Sequence, residues 1–483
     1  MGDARWGKEE RVTLKRIFML NLALYAAYAT YLSIIAIIGF IAYKHNQRAG
    51  GDYILGARSL NYVVTALATH ASDMSAWLFM SMPAAIYTKG LIGGWIAIGL
   101  TVFMLLNWMI VAPKLRTMTE FHGSSTLSSF FAKRFNDTTG TLRMVSTACA
   151  LLFLTCYIAA NLAALGHLFE SVFTLPYTLG ITLGSLVVFY ILFGGYTSIA
   201  WIDCFQGAFL LGAIIIVPVV AIISLGGWQV VEAAVANKNV FNFFPNSLSS
   251  FTECFFLAVG WGLGYFGQPH IITKFMGIDD AKNIKKAQYV GITWQSITLA
   301  AAVLIGFTGI AFFPNGISNT EFIFIEMTKT LFHPFVTGLM LCGIVASSIN
   351  VIGAQVLALA SVITEDIVKY LFHTRTNNGP MIARLSVLGM CVVAATVAYC
   401  NQHRAIYDLV FYAWGGLGCS FGPLVLVALH TKLQNIKAAI ASVVVGALVG
   451  CLWPLLNSGV PAVIVGFPVS LAILWLGACV DKN

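Results

Sequence analysis

Two carboxylates and a histidine sit where the chain is otherwise apolar or small. Residues 68–80 read ATHASDMSAWLFM, with His70 and Asp73 inside them, and Asp203 lies in SIAWIDCFQG. A carboxylate in the middle of a membrane-crossing segment costs at least about 2.5–3.5 kcal/mol on insertion scales, so such groups usually face a cavity and mark a pathway. The alternative for Asp73 is a structural hydrogen bond to a neighbouring helix. Around it, Ala71-Ser72-Asp73-Met74-Ser75 gathers poor helix formers whose side chains compete for backbone groups. A helix broken there would expose carbonyls able to hold a cation. A second interruption reads AVGWGLGYFGQPH over 258–270, where four glycines and Pro269 make a continuous helix unfavourable. Gly262, Gly264 and Gly267 spell G-x-G-x-x-G, but no strand–turn–helix context surrounds them, so a dinucleotide site is not implied. Trp77, Trp261 and Tyr265 adjoin the breaks, and Tyr157 lies mid-span in LTCYIAAN. Aromatics in such chains are more often packing or interfacial residues than ligands. Asp203 reads equally as a gate or ion-path residue and as a solvated helix end.

The elements that must position these groups follow from composition. Of 483 residues, 59% are hydrophobic and 10% charged, with a mean hydropathy of +0.84. A soluble protein carries roughly 25% charged residues. The chain is therefore expected to be an all-α polytopic membrane protein, since the alternating segments of about ten residues typical of a membrane barrel are missing. No cleavable secretory signal is evident. Apolar windows predict about thirteen transmembrane helices, starting near 22, 61, 92, 142, 177, 200, 251, 288, 331, 381, 405, 436 and 459. The polar connections are short, so residues 1–483 are expected to form a single membrane domain. The interrupted spans each open a group of five, spans 2–6 (about 61–224) and spans 7–11 (about 251–430). This points to two inverted repeats with a midplane site between them.

The net charge of +8 does not indicate nucleic acid, because the basic residues fall in the loops between spans. Alternate loops hold 18 Lys and Arg, the opposite set only Lys89, Lys238, Lys329 and Arg404. The positive-inside rule then places the C-terminus in the cytoplasm and, with thirteen spans, the N-terminus outside. The tail MGDARWGKEERVTLKRIF conflicts with that placement, and translation from Met19 would remove the conflict. The ten cysteines form no C-x-x-C pair, which argues against a zinc site or a disulfide framework. No H-E-x-x-H occurs, and an enzyme is not expected. No obligatory protein partner is evident; the lipid bilayer is the expected environment.

The stretches DYILGARSL (52–60), ASDMSAWL (71–78), GWGLGYFGQPHI (260–271) and SVITEDIVK (361–369) resemble the proline carriers of the sodium–solute symporter family. The likeness runs in order from about Ile35 to Leu476. It implies a thirteen-helix, LeuT-type inverted-repeat fold and secondary symport of L-proline, or a closely related small amino acid, with sodium in a bacterial inner membrane. A proton-coupled carrier of the same fold, or a different small solute, is the alternative. The resemblance also implies roles. The backbone carbonyls of Ala71 and Met74 match sodium ligands, and Asp73 matches the acid needed for coupling. Ser75 and Trp77 line the same region. Tyr157, Trp261, Tyr265 and Pro269 match the proline pocket, and Arg58 and Asp203 match polar residues important for transport.

Three positions depart from the family pattern. Two adjacent hydroxyl residues expected as sodium ligands in span 9 are here Asn350 and Val351, with Ser347 and Ser348 one turn earlier. Asn supplies an oxygen; the Val side chain does not. His70 stands where the proline carriers have a small residue, and its ordinary pKa near neutrality raises proton coupling as an option against a simple inter-helix hydrogen bond. Ala76 replaces an expected glycine.

Overall fold

The computed structural model describes residues 8–48, 58–173, 175–187, 189–237, 243–370 and 379–480. Residues 1–7 of the basic tail, residues 52–57 of the first family-like stretch, and Lys238, Arg375 and Lys482 lie outside them, so the N-terminal and Met19 expectations find no test there.

The described chain is nearly all helix, in the order α1 (Lys8–Arg48), α2 (Tyr62–Ala71), α3 (Ser81–Lys89), α4 (Trp95–Leu106), α5 (Ala112–Phe121) and α6 (Leu127–Arg134). There follow α7 (Thr141–Phe173), α8 (Tyr177–Val187), α9 (Phe189–Ser224), α10 (Trp228–Asn237), α11 (Leu248–Gly262) and α12 (Pro269–Met276). The remainder is α13 (Ile284–Phe312), α14 (Ile323–Leu331), α15 (Pro334–Val362), α16 (Gly379–Cys400), α17 (Ile406–His430), α18 (Ile436–Leu452) and α19 (Ala462–Val480). Among the described residues, nine helices are long and apolar enough to cross a membrane. The windows predicted near 61 and 251 hold broken helices, and those near 177 and 381 adjoin or include residues outside the description. The third predicted span runs on to Phe121, through a π-helical stretch at Asn107–Val111. Pro113 opens α5 immediately after that stretch; lacking an N–H, it cannot continue the α ladder, which accounts for the irregular turn.

Both expected breaks are present. Asn61 caps α2 by accepting from the Val63 and Val64 amides. The helix stops at Ala71, where the Ser72 hydroxyl donates back to the Ala68 carbonyl at 2.6 Å and Ser75 is extended. The chain resumes as a single 3-10 turn, Ala76–Leu78, and then α3, which ends at Gly90 with φ +67. In the second break, α11 runs into a 3-10 turn over Leu263–Gly267. Gln268 is extended, and Pro269 opens α12 at a position where a missing N–H costs nothing. The glycines here do more than weaken a helix. A Cβ on Gly264 would lie 1.8 Å from the Trp414 Nε1, and one on Gly267 2.4 Å from the Leu417 carbonyl, so α17 packs directly on the broken backbone.

The breaks are enclosed by α7, α9, α13, α15 and α17, while α18 and α19 pack against α17 from the other side. At the end carrying most of the basic residues the two broken units are stitched together. Leu60 and Ile278 form an isolated parallel bridge, with Leu60 N–H donating to Gly277 O at 3.2 Å and Asp279 N–H to Leu60 O at 2.9 Å.

One pentapeptide, Gly418-Cys419-Ser420-Phe421-Gly422, does spell the hydrolase signature G-x-S-x-G. It lies inside α17 rather than on a strand-to-helix turn, and the Ser420 hydroxyl is spent on the Gly416 carbonyl at 2.7 Å.

Candidate functional site

The two breaks meet at Asp73. The Tyr265 hydroxyl donates to the Asp73 Oδ2, and Gln295 of α13 donates to the same hydroxyl at 3.3 Å. The Trp77 indole donates to the Asp73 carbonyl at 3.3 Å. Trp77 and Trp261 stack with ring centres 5.6 Å apart and an interplanar angle of 29°. Asp73, Trp77, Trp261 and Tyr265 are thereby brought together from the two breaks, and all are buried.

Trp414 of α17 organises this group, and sequence reasoning missed it. Its ring lies 6.0 Å from Trp261, 5.1 Å from Tyr265 and 6.5 Å from Tyr157, and its Nε1 donates to the Trp261 carbonyl at 2.8 Å. The available signal was a tryptophan set in the glycine-rich run YAWGGLG (412–418). Gln295 was missed as well, with no local motif to reveal it. Several buried polar atoms of the cluster have no hydrogen-bond partner: Asp73 Oδ1, Ser75 Oγ, Tyr157 OH and Gln295 Oε1. Orphaned polar atoms beside packed aromatic rings are what a small, partly apolar, partly charged ligand would satisfy.

Pro269 is not part of the ring cluster. It opens α12 and lines a cavity with Thr126, His270, Lys274 and Ser361, toward the end where Arg58 lies. Tyr157 connects the two regions, packing edge-on to His270 at 5.5 Å.

Asp203 is not a solvated helix end. It is fully buried, and the Lys274 ammonium, also buried, lies 2.9 Å from its Oδ2. Lys274 is one of the 18 basic residues that the sequence places in loops; the structure puts it on α12 instead. Ser72 of the first break donates to the same carboxylate oxygen at 3.5 Å, and the Asn350 amide donates to the Asp203 carbonyl at 3.5 Å. The first break, α9, α12 and α15 thus converge on one residue.

A hard cation prefers oxygen ligands. Around this convergence the Asn350 Oδ1, Asp203 Oδ1 and Ser348 Oγ are buried without partners. Among the described residues no donor reaches the carbonyls of Ala71 or Met74. The donor set present therefore fits a sodium-like ion. Val351 is buried and adds no side-chain oxygen, and the Ser347 hydroxyl donates back to Ile344 O at 2.9 Å. Among the described residues no group of three His, Cys, Asp or Glu side chains forms a transition-metal site.

His70 is tied to a neighbouring helix. The Trp108 indole, a donor only, gives a 2.9 Å hydrogen bond to its Nε2, which fixes that nitrogen as unprotonated. Arg58, at φ +53, is also remote from the aromatic cluster. Its guanidinium donates to the carbonyls of Met276 at 2.7 Å and Ser124 at 3.2 Å.

The cluster lies between two cavities. Beyond Trp261 the Tyr407 hydroxyl accepts the Trp261 indole N–H at 3.3 Å, and Tyr407 in turn lines a recess with Ser81, Lys89, Glu321 and Arg404. The cavity that Pro269 lines lies toward the other end.

The sodium:solute symporter family signature matches residues 53–446. Two proteins named sodium/proline symporter, from Staphylococcus aureus strains JH9 and Newman, are each 39% identical to this chain over 92% of its length and 90% of theirs. Among solved structures, a substrate-bound, outward-open sodium-coupled sialic acid symporter superposes with a TM-score of 0.79 at 17% identity, covering 95% of this chain and 98% of its own. The nucleobase-cation-symport transporter Mhp1 superposes with a TM-score of 0.60 at 13% identity, covering 89% and 95%. These establish a shared transporter fold, and this chain belongs to the sodium:solute symporter family.

Proposed function

We propose that this chain is a secondary symporter that carries L-proline across the membrane together with sodium, by alternating access. The observation that carries the reading is the closed cluster of unsatisfied polar atoms and stacked aromatic rings, set between two broken helices with a cavity on either side. Proline is a zwitterion with an apolar ring. The rings of Trp77, Tyr157, Trp261, Tyr265 and Trp414 offer it apolar faces, and Ser75 and Tyr157 offer hydroxyls. Sodium, which is cargo here, would take the carbonyls of Ala71 and Met74 with oxygens of Asn350 and neighbouring serines. Asp73 holds the two breaks together through Tyr265, and so communicates between ion and solute. Pro269 and Asp203 belong to the release path in this reading, and Arg58 to the frame that moves.

The protein's two five-helix groups, 61–224 and 251–430, act as inverted repeats in this scheme. The basic end faces the cytoplasm of a bacterial cell, with the N-terminus outside. The relatives named sodium/proline symporter support the choice of solute and ion. One sodium driven by 100 mV gains about 2.3 kcal/mol, and a tenfold gradient adds about 1.4 kcal/mol. Their sum of roughly 3.7 kcal/mol sustains accumulation of a neutral solute by several hundredfold. One ion per solute is energetically sufficient.

The test is uptake of labelled proline by proteoliposomes under an imposed sodium gradient. Uptake is expected, and Asn350→Ser with Val351→Thr should lower the sodium concentration needed for half-maximal rate. Equal uptake on a proton gradient without sodium would refute the ion assignment. No proline uptake under either gradient, with another solute carried, would refute the substrate.

A further inference from the structure

At the basic end, α5, the start of the α5–α6 loop, α6 and the turn between α17 and α18 surround an open recess of about 550 Å³, lined in part by Met118, Phe121, His122, Lys133, Arg134 and Lys432. This recess shares no residue with the transport cluster or with either cavity beside it.

Its charge is unbalanced. Among the described residues no carboxylate lies within ion-pair distance of Lys133, Arg134 or Lys432. The neighbouring acids are engaged elsewhere, Glu120 with Arg116 at 2.6 Å and Glu365 with Lys369 at 2.5 Å. Asp137 accepts from the Thr139 hydroxyl and the Arg143 amide. The cations are held in place by neutral groups instead. Lys133 donates to the carbonyls of His122 at 2.7 Å and Gly123 at 2.9 Å. Arg134 caps the end of α17 by donating to the carbonyls of Ala428, Thr431 and Leu433. Hydrogen bonds to carbonyls fix the heads without cancelling their charge, so little further ordering is needed when an anion arrives. Burial, and then the charges of Arg134 and Lys133, hold the His122 imidazole below its ordinary value, as a positive local field requires.

The location selects the kind of anion. The turn that carries Lys432 joins α17 and α18, both long and apolar enough to cross a membrane, so the recess it lines sits at the membrane boundary. Phe121 is 86% exposed there, beside half-buried Met118, and aromatic rings at this depth pack against the glycerol and upper acyl region. A soluble anion would use the cations but leave the ring unexplained. Basic pockets between helices at a membrane surface recognise acidic headgroups in this way.

We propose that this recess binds the phosphate headgroup of an anionic phospholipid in the adjacent leaflet, with Lys432 and the fixed heads of Lys133 and Arg134 facing the phosphate and Phe121 the chains. The assignment does not depend on which solute is transported.

The test uses the full-length protein in nanodiscs of equal phosphatidylglycerol and phosphatidylcholine, with bound lipid counted by native mass spectrometry. Lys432 makes no hydrogen bond among the described residues, so Lys432→Gln removes a charge without loosening the fold. Wild type should retain phosphatidylglycerol preferentially, and Lys432→Gln should weaken that preference roughly fivefold, the share of one basic residue near an anionic surface. Phe121→Ala should weaken retention of phosphatidylglycerol as well. Equal retention of both lipids, or a preference unchanged in Lys432→Gln, overturns the proposal. Displacement of the bound lipid by millimolar inorganic phosphate, with Phe121→Ala silent, would make this a free-anion site and overturn the lipid assignment.

Discussion

The Lys274 ammonium and Asp203 carboxylate form an ion pair with almost no water to screen it. Removing one partner of such a pair typically costs about 3–5 kcal/mol, because the survivor is left charged and dry, whereas removing both can be nearly neutral. Lys274→Met alone should therefore lower the thermal unfolding temperature clearly, and Asp203→Asn with Lys274→Met should recover most of the loss. Thermal unfolding in detergent across the double-mutant cycle measures it; strictly additive losses would show that the pair is not coupled. Neither residue was interpretable from its own neighbourhood in sequence. Asp203 looked equally like a helix end, and Lys274 looked like one of many loop lysines, because a count of charges along the chain has no knowledge of which one turns inward. Asp73, by contrast, was legible, because its setting among small polar residues in an apolar span is a local property.

Two helices that stop and restart are tied at their basic ends by short backbone pairing and two arginines. Arg58 reaches the last carbonyl of α12, and Arg116 donates to the carbonyls of Ile278 at 2.8 Å and Asp279 at 3.1 Å. The beginning of α2 and the end of α12 must then move together. Arg58→Gln leaves the aromatic cluster untouched but removes a charge-assisted bond of roughly 1.5–3 kcal/mol, so solute affinity should hold while turnover falls by about tenfold or more. Parallel binding and uptake measurements separate the two, and a loss confined to affinity would contradict this role. The breaks themselves were legible, since serine, glycine and proline announce them. What the glycines accommodate was not: Gly264 admits the Trp414 indole from a helix some 150 positions away, and no local pattern encodes that approach. The irregular turn before Pro113 went unread for a simpler reason, that an apolar window sums hydropathy and ignores the ladder of hydrogen bonds.

Over the molecule as a whole, composition disclosed the membrane and the helical class, while the family-like stretches disclosed the transporter. Which predicted spans are unbroken, and how α17 closes the cluster from the side, required tertiary packing. The result is a chain whose chemistry is concentrated in a buried centre, flanked by the cavities that Pro269 and Tyr407 line.

All ten cysteines are unpaired, and only Cys400 and Cys479 are exposed. They lie at the ends of α16 and α19 on opposite sides of the molecule: Cys400 adjoins the recess that Gln402 lines, and Cys479 follows Gly477, which packs on Ala438 and Asn435 beside the basic turn. The native protein therefore carries its own pair of sidedness reporters. A membrane-impermeant maleimide applied to intact cells should modify Cys400 and spare Cys479, read by peptide mass mapping. The reverse pattern would turn the proposed orientation upside down without a single engineered residue.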